Sequence, residues 1–138
     1  MARGVSSSLL DTSVVIAATT PASLPAAAAI SVVTIGELRA GILLAADSRL
    51  RELRKRRFDA VRAAFAPIPV DEAVAERYGD LLAFARSHRR TAKASDLLII
   101  ATAVASKRTL YTLDKKQADL AQAAGVVVAA QVHAEVVP

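Results

Sequence analysis

The stretch Ser95-Asp96-Leu97-Leu98-Ile99-Ile100-Ala101-Thr102-Ala103-Val104-Ala105 constrains the fold of this chain more than any other. It is long enough for about three helical turns. Apolar residues cover nearly its whole circumference, so a helix made from it belongs inside a core. One carboxylate, Asp96, stands at its mouth. Ser95 is a suitable N-cap, which puts Asp96 in the first turn, where the helix dipole favours negative charge. Capping alone would account for Asp96. Three further acids at comparable junctions give reason to look beyond capping.

A chain of 138 residues with 54% hydrophobic and 4% aromatic content supports a single domain, residues 1–138, with a packed, alanine-rich interior. The absence of cysteine excludes disulfides and thiolate-bound zinc. The two histidines, His88 and His133, read as surface residues, so a histidine-based nucleophile or zinc site is not expected. No apolar run reaches membrane-spanning length, and the first residues lack a signal-peptide core, which points to a cytoplasmic protein. The net charge of +5 is concentrated. Arg49, Arg51, Arg54, Lys55, Arg56 and Arg57 form one cluster, and Arg86, Arg89, Arg90 and Lys93 form another. Such runs are either solvated helix faces or a footprint for a polyanion.

Read in order, Ser8–Leu10 predicts a buried strand, Asp11 a turn, and the residues after it a short helix. The β-branched run Ala29–Val33 predicts a second strand. Thr34 and Glu37 fit a capping box opening a helix with Ile35, Leu38 and Ile42 on one face. Asp47 starts a long basic helix with Leu50, Leu53, Phe58, Val61 and Phe65 on its apolar side, expected to project from the body. Ala66–Val70 reads as an extended linker, with a short edge strand as the alternative. Asp71 caps an amphipathic helix carrying Val74, Tyr78, Leu81, Leu82 and Ala85. Thr109–Leu113 predicts a strand, Asp114 opens another helix, Gly125 stops it, and Val126–Val128 predicts a last strand. This alternation argues for an α/β domain with a mostly parallel central sheet and helices on both faces.

In such sheets ligands bind beyond the carboxyl ends of the strands. Asp11 and Asp114 follow strands, Glu37 lies one helical turn after one, and Asp96 sits at a helix N-terminus facing the same edge. Four acids from distant parts of the chain can therefore meet on one rim. Crowded carboxylates raise one another's pKa unless a cation neutralises them. An all-oxygen donor set suits Mg²⁺ or Mn²⁺. Such an ion can lower the pKa of a water, position it, and neutralise phosphate charge. Thr12, Ser13 and Thr112 flank two of the acids, either as ordinary turn residues or to orient a carboxylate. Arg39 can offset charge in the cluster or meet a phosphate. Two other readings stay open: a phosphohydrolase with Asp11 as aspartyl nucleophile, and a non-catalytic nucleic-acid-binding module whose acids only cap helices.

Four segments, in order, carry a resemblance: Leu9-Leu10-Asp11-Thr12-Ser13, Thr34-Ile35-Gly36-Glu37-Leu38-Arg39-Ala40-Gly41, Ala94-Ser95-Asp96-Leu97-Leu98-Ile99-Ile100-Ala101 and Tyr111-Thr112-Leu113-Asp114. Together they resemble the acidic motifs of PIN-domain ribonucleases, in particular the VapC toxins of toxin–antitoxin pairs. At the fourth position many relatives carry Asn where this chain has Asp114. The resemblance implies a PIN-like three-layer α/β/α sandwich. It implies a Mg²⁺- or Mn²⁺-dependent endoribonuclease, with Asp11, Glu37, Asp96 and Asp114 as the metal-site acids. It also implies a homodimer and a VapB-like antitoxin that occupies the active-site groove. On that reading Arg54, Lys55 and Arg57 of the basic helix would contact the RNA backbone. Single-stranded loops of a structured RNA are the expected target, because their bases are accessible.

Overall fold

The computed structural model describes residues 7–18, 24–25 and 27–129. His133 lies outside them. The elements are β1 (Ser8–Leu10), α1 (Thr12–Ala17), β2 (Ala28–Ala29), α2 (Val32–Leu43), α3 (Ser48–Ala64), α4 (Glu72–Ser87), α5 (Ala94–Ala105), β3 (Thr109–Tyr111), α6 (Lys115–Ala123) and β4 (Val128–Ala129). The four strands form one sheet in the order β2-β1-β3-β4, parallel throughout.

Side chains alternate across a strand, so each short strand feeds two cores. Leu9, paired with Ala29 and Leu110, joins the core built with α4, α5 and α6. Leu10, paired with Tyr111, joins the opposite core, with Val14 and Val15 of α1, Leu38 of α2 and Val61 of α3. Helices therefore cover both faces, giving the expected three layers. α5 is buried as its composition demands: Leu97, Ile99, Ile100, Ala101, Thr102 and Ala103 are all inaccessible.

Several boundaries differ from the sequence reading. Val32 and Val33 open α2 instead of ending a strand, because the Ser31 hydroxyl accepts from the Val33 N–H at 3.0 Å and starts the helix there. A cap outweighs β-branched propensity at this position. Thr34 and Glu37 are therefore inside the helix and form no capping box. Helix α5 begins one residue before Ser95, with Lys93 at the cap position and no side-chain cap, so Asp96 is in the first turn without Ser95 capping it. The last strand starts at Val128, two residues later than expected, after Gly125 turns the chain with φ +86. Asp47 and Asp71 cap α3 and α4 as read. Residues 66–70 form no strand; they make one isolated parallel bridge, Ile68 with Ser31.

The basic helix α3 does not project freely. It folds back along α2, where the Arg54 guanidinium donates to the Gly41 carbonyl at 2.7 Å. Val61, with Phe58 and Phe65 beside it, packs into the second core. Among the described residues no helix is long and apolar enough to cross a membrane.

Candidate active site

β2 lies on one side of β1 and β3 on the other, so the chain reverses its winding between β1 and β3. That switch point opens a crevice at the carboxyl ends of the two strands. Asp11 leaves β1 there, its N–H donating to the Tyr111 carbonyl at 2.8 Å. Its side chain is 4% exposed and serves as the N-cap of α1. Ser13 Oγ donates to Asp11 Oδ2 at 2.6 Å, and Thr112 Oγ1 donates to the same oxygen at 3.0 Å. Each hydroxyl is itself oriented by a backbone donor: Leu113 N–H to Ser13 Oγ and Asp114 N–H to Thr112 Oγ1, both at 3.0 Å. Ser13 and Thr112 thus hold a buried carboxylate in place and are more than turn formers.

Glu37 is fixed in a similar way. Thr12 Oγ1 donates to Glu37 Oε1 at 2.5 Å and lies 2.9 Å from Thr34 Oγ1, which is fully buried. The Thr12 hydroxyl has one proton, and Glu37 takes it, so Thr34 donates to Thr12. Asp114 caps α6, with Oδ1 accepting from the N–H groups of Lys116 at 3.0 Å and Gln117 at 3.2 Å. It remains exposed.

Asp96 is the exception. It is half-buried, and among the described residues no donor holds it. Burial at the helix mouth pushes its carboxyl above the ordinary value. The negative charges of Asp11, Asp114 and Glu37, in that order, push it further, and the Lys93 ammonium pulls it back. The four acids named from sequence therefore share one electrostatic field. They do not close into a ready-made cage: among the described residues no three acidic or histidine side chains are grouped as metal ligands would be.

Asp96 and Asp114 line an open cavity of about 330 Å³ together with Lys93, Lys116 and Gln117. Three larger concavities are present. One, of about 430 Å³, lies on the other side of Asp114, against Thr112, Leu113 and Lys115. One, of about 420 Å³, is at the amino ends of β3 and β4, and one, of about 470 Å³, lies between α1 and α3; these two contain none of the four acids, so chemistry and not size identifies the site.

The remaining sequence candidates fall outside this cluster. Arg39 is exposed and, among the described residues, makes no ion pair. Arg54 is committed to the Gly41 carbonyl, Lys55 is exposed, and Arg57 lines the groove between α1 and α3. Asp119 pairs with Lys115 at 3.3 Å. The cations that border the acid-lined cavity are Lys93, from the second basic cluster, and Lys116. The sequence reading missed Lys116, Thr34 and Gln117. The spacing of Lys116 two residues after an acid at a strand end was the one available signal.

Residues 8–123 match the PIN domain. The chain is 46% identical over 100 residues to Ribonuclease VapC8 of Mycobacterium tuberculosis, covering 69% of this chain and 88% of that protein. It is 34% identical over 123 residues to Ribonuclease VapC5 of the same organism, covering 86% and 90%. Among solved structures it is similar to VapBC-5 of the VapBC family of toxin–antitoxin systems from M. tuberculosis, with a TM-score of 0.78 and 34% identity over 89% of this chain and 97% of that one. It is also similar to FitAcB from Neisseria gonorrhoeae, with a TM-score of 0.72 and 28% identity over 87% and 94%.

Proposed function

Because this chain belongs to the PIN-domain family, we propose that it is a metal-dependent endoribonuclease, the toxin of a VapBC-type pair, acting in the cytoplasm. The observation that carries the reading is Asp96. Asp96 is a half-buried carboxylate at the mouth of a buried helix with no donor among the described residues, and three other acids oppose its charge while Lys93 offsets it only in part, a setting that a divalent cation would neutralise. Helix capping explains Asp114 but not Asp96, which speaks against a merely structural role for the acids.

The donor set fits a hard divalent cation: every candidate ligand is a carboxylate oxygen, which suits Mg²⁺ or Mn²⁺. Asp11, Asp96, Glu37 and Asp114 would hold it. When bound, the ion would supply charge neutralisation at a phosphodiester oxygen and an activated water. The chain's own residues do the positioning. Ser13 and Thr112 orient Asp11 through Oδ2, and Thr12 orients Glu37 through Oε1. Lys93 and Lys116, at the same cavity, would take phosphates flanking the cleaved bond. Lys55 remains available on α3 for a more distant phosphate.

The aspartyl-nucleophile alternative fares worse. Ser13 stands where such an enzyme wants its second acid, and its hydroxyl is spent on Asp11 at 2.6 Å. By analogy with the solved VapBC-5 toxin–antitoxin structure, we also propose a VapB-like antitoxin as partner; a homodimeric toxin is proposed on the family resemblance alone.

The direct test is cleavage of a structured RNA by the purified protein with Mn²⁺, with EDTA, and with Asp96→Asn. Cleavage should need the ion and fall by more than about 100-fold in the variant. Equal cleavage by Asp96→Asn, or cleavage unaffected by EDTA, would overturn the proposal.

A further inference from the structure

We infer that Gln117 is a positioning residue that sets the Asp11 carboxylate and fixes its spacing from Asp114; the inference rests on the metal-site reading above. Gln117 is 3% exposed, an uncharged amide on the first turn of α6 at the wall of the acid-lined cavity. The four acidic motifs give it no role.

Its amide can be oriented in two ways, and the surroundings select one. With Oε1 toward Asp11, an acceptor would face a carboxylate. The single Thr112 proton would also be claimed twice, by Asp11 at 3.0 Å and by Gln117 at 3.3 Å. With the amide turned, Nε2 lies 3.1 Å from both Asp11 Oδ1 and Oδ2 and donates to them. The hydroxyls of Ser13 and Thr112 both address Oδ2. Among the described residues, Gln117 is the one donor that reaches Oδ1, so it holds the edge of the carboxylate that the hydroxyls leave free.

The backbone of the same residue is held by a second acid, since Gln117 N–H donates to Asp114 Oδ1 at 3.2 Å. One residue therefore ties the acid that follows β1 to the acid that follows β3. The chemistry explains why an amide belongs here. A lysine would supply the donors but compete with the cation for Asp11, and a glutamate would add a negative charge to a field already unneutralised. An amide donates without changing the charge of the site. Groups that orient a ligand in this way are worth about 10–100-fold in metal affinity.

The test is titration of the metal-free protein with Mn²⁺ by calorimetry, for the parent, Gln117→Met and Ala121→Gly. Methionine keeps the length and removes the donors. The Ala121→Gly change loosens the same helix and leaves the amide alone. Gln117→Met should bind Mn²⁺ about 10–100-fold more weakly, while Ala121→Gly should bind as the parent does. A second reading uses the parent without metal: the carboxamide protons of Gln117 should exchange with water far more slowly than those of exposed Gln122, and should lose that protection in Asp11→Asn. It holds even if Gln117→Met fails to fold. Unchanged affinity in Gln117→Met, or carboxamide protons exchanging as fast as those of Gln122, would overturn the inference. If the parent takes up no Mn²⁺, the nuclease reading falls, and proton protection alone then decides whether Gln117 holds Asp11.

Discussion

Asp11 and Asp96 belong to one rim but occupy opposite kinds of surroundings. Asp11 is buried and surrounded by donors: two hydroxyls, the Ser13 N–H at 3.3 Å and the Gln117 amide. Asp96 is half-buried, without a donor among the described residues, and destabilised by its neighbours' charge. The first carboxylate is stabilised by the fold. The second is tolerated by it, because the α5 around it is so thoroughly buried that the helix forms regardless. A site built this way fixes part of its ligand set in advance and leaves the rest to respond when a cation arrives.

The largest expected effect separates the two acids by stability, since both variants should lose cleavage. Asp11→Asn replaces an acceptor with a group that turns an NH₂ toward donors already in place. Stranding those donors in the interior should cost about 1–3 kcal/mol. Asp96→Asn removes a charge from a repulsive field, so the metal-free protein should melt at a higher temperature than the parent. Thermal melts of the two variants without metal check this. If both lose stability alike, the contrast between the two acids is wrong.

How much of this was legible in the sequence follows from how local each determinant is. The apolar run after Asp96 could only be a buried helix, and the Leu9–Leu10 pair feeds two cores by simple alternation. The acids were legible as types at strand ends. The groups that hold them were not. Ser13 reaches Leu113 and Thr112 reaches Asp11 only because β1 and β3 are paired in a particular register, across 100 and 101 residues of sequence. The start of α2 was misplaced because Ser31 and Thr34 are both competent caps, and only the structure shows which hydroxyl is spent on the helix and which on Thr12. The basic run on α3 suggests a nucleic-acid contact, yet two of its arginines are spent on the fold: Arg54 on the Gly41 carbonyl at 2.7 Å and Arg51 on the Ala45 carbonyl at 3.5 Å.

Glu37 offers an intermediate case that sharpens the comparison, since it is held through a chain of two hydroxyls. Thr34→Val keeps shape and burial but removes the donor to Thr12. The loss should be about 1 kcal/mol of stability, with a several-fold fall in cleavage that added Mn²⁺ partly restores. Urea unfolding and cleavage at two Mn²⁺ concentrations measure both. An unchanged metal dependence would show that Thr34 serves packing and not Glu37.

The smallest expected effect is in the pH dependence, and it bears on Asp96 alone. Its carboxyl titrates above 3.8, the ordinary value that the unfolded chain would show. The folded state therefore binds the proton more tightly, and between the two values it carries more protons than the unfolded state. Stability then declines as pH rises from about the unfolded value through the raised folded one, and levels off above both. The contribution is modest because Asp96 is only half-buried and solvent screens its neighbours. Other acids titrate in the same range, so the informative quantity is the melting temperature of the parent minus that of Asp96→Asn, both without metal. That difference should grow more negative with rising pH and shrink in high salt. Mn²⁺ should reverse its sign above the window, because the ion prefers the ionised carboxylate. A difference that stays flat with pH would mean that neither burial nor the other three acids raises Asp96, and the two carboxylates would no longer be distinguishable by their surroundings.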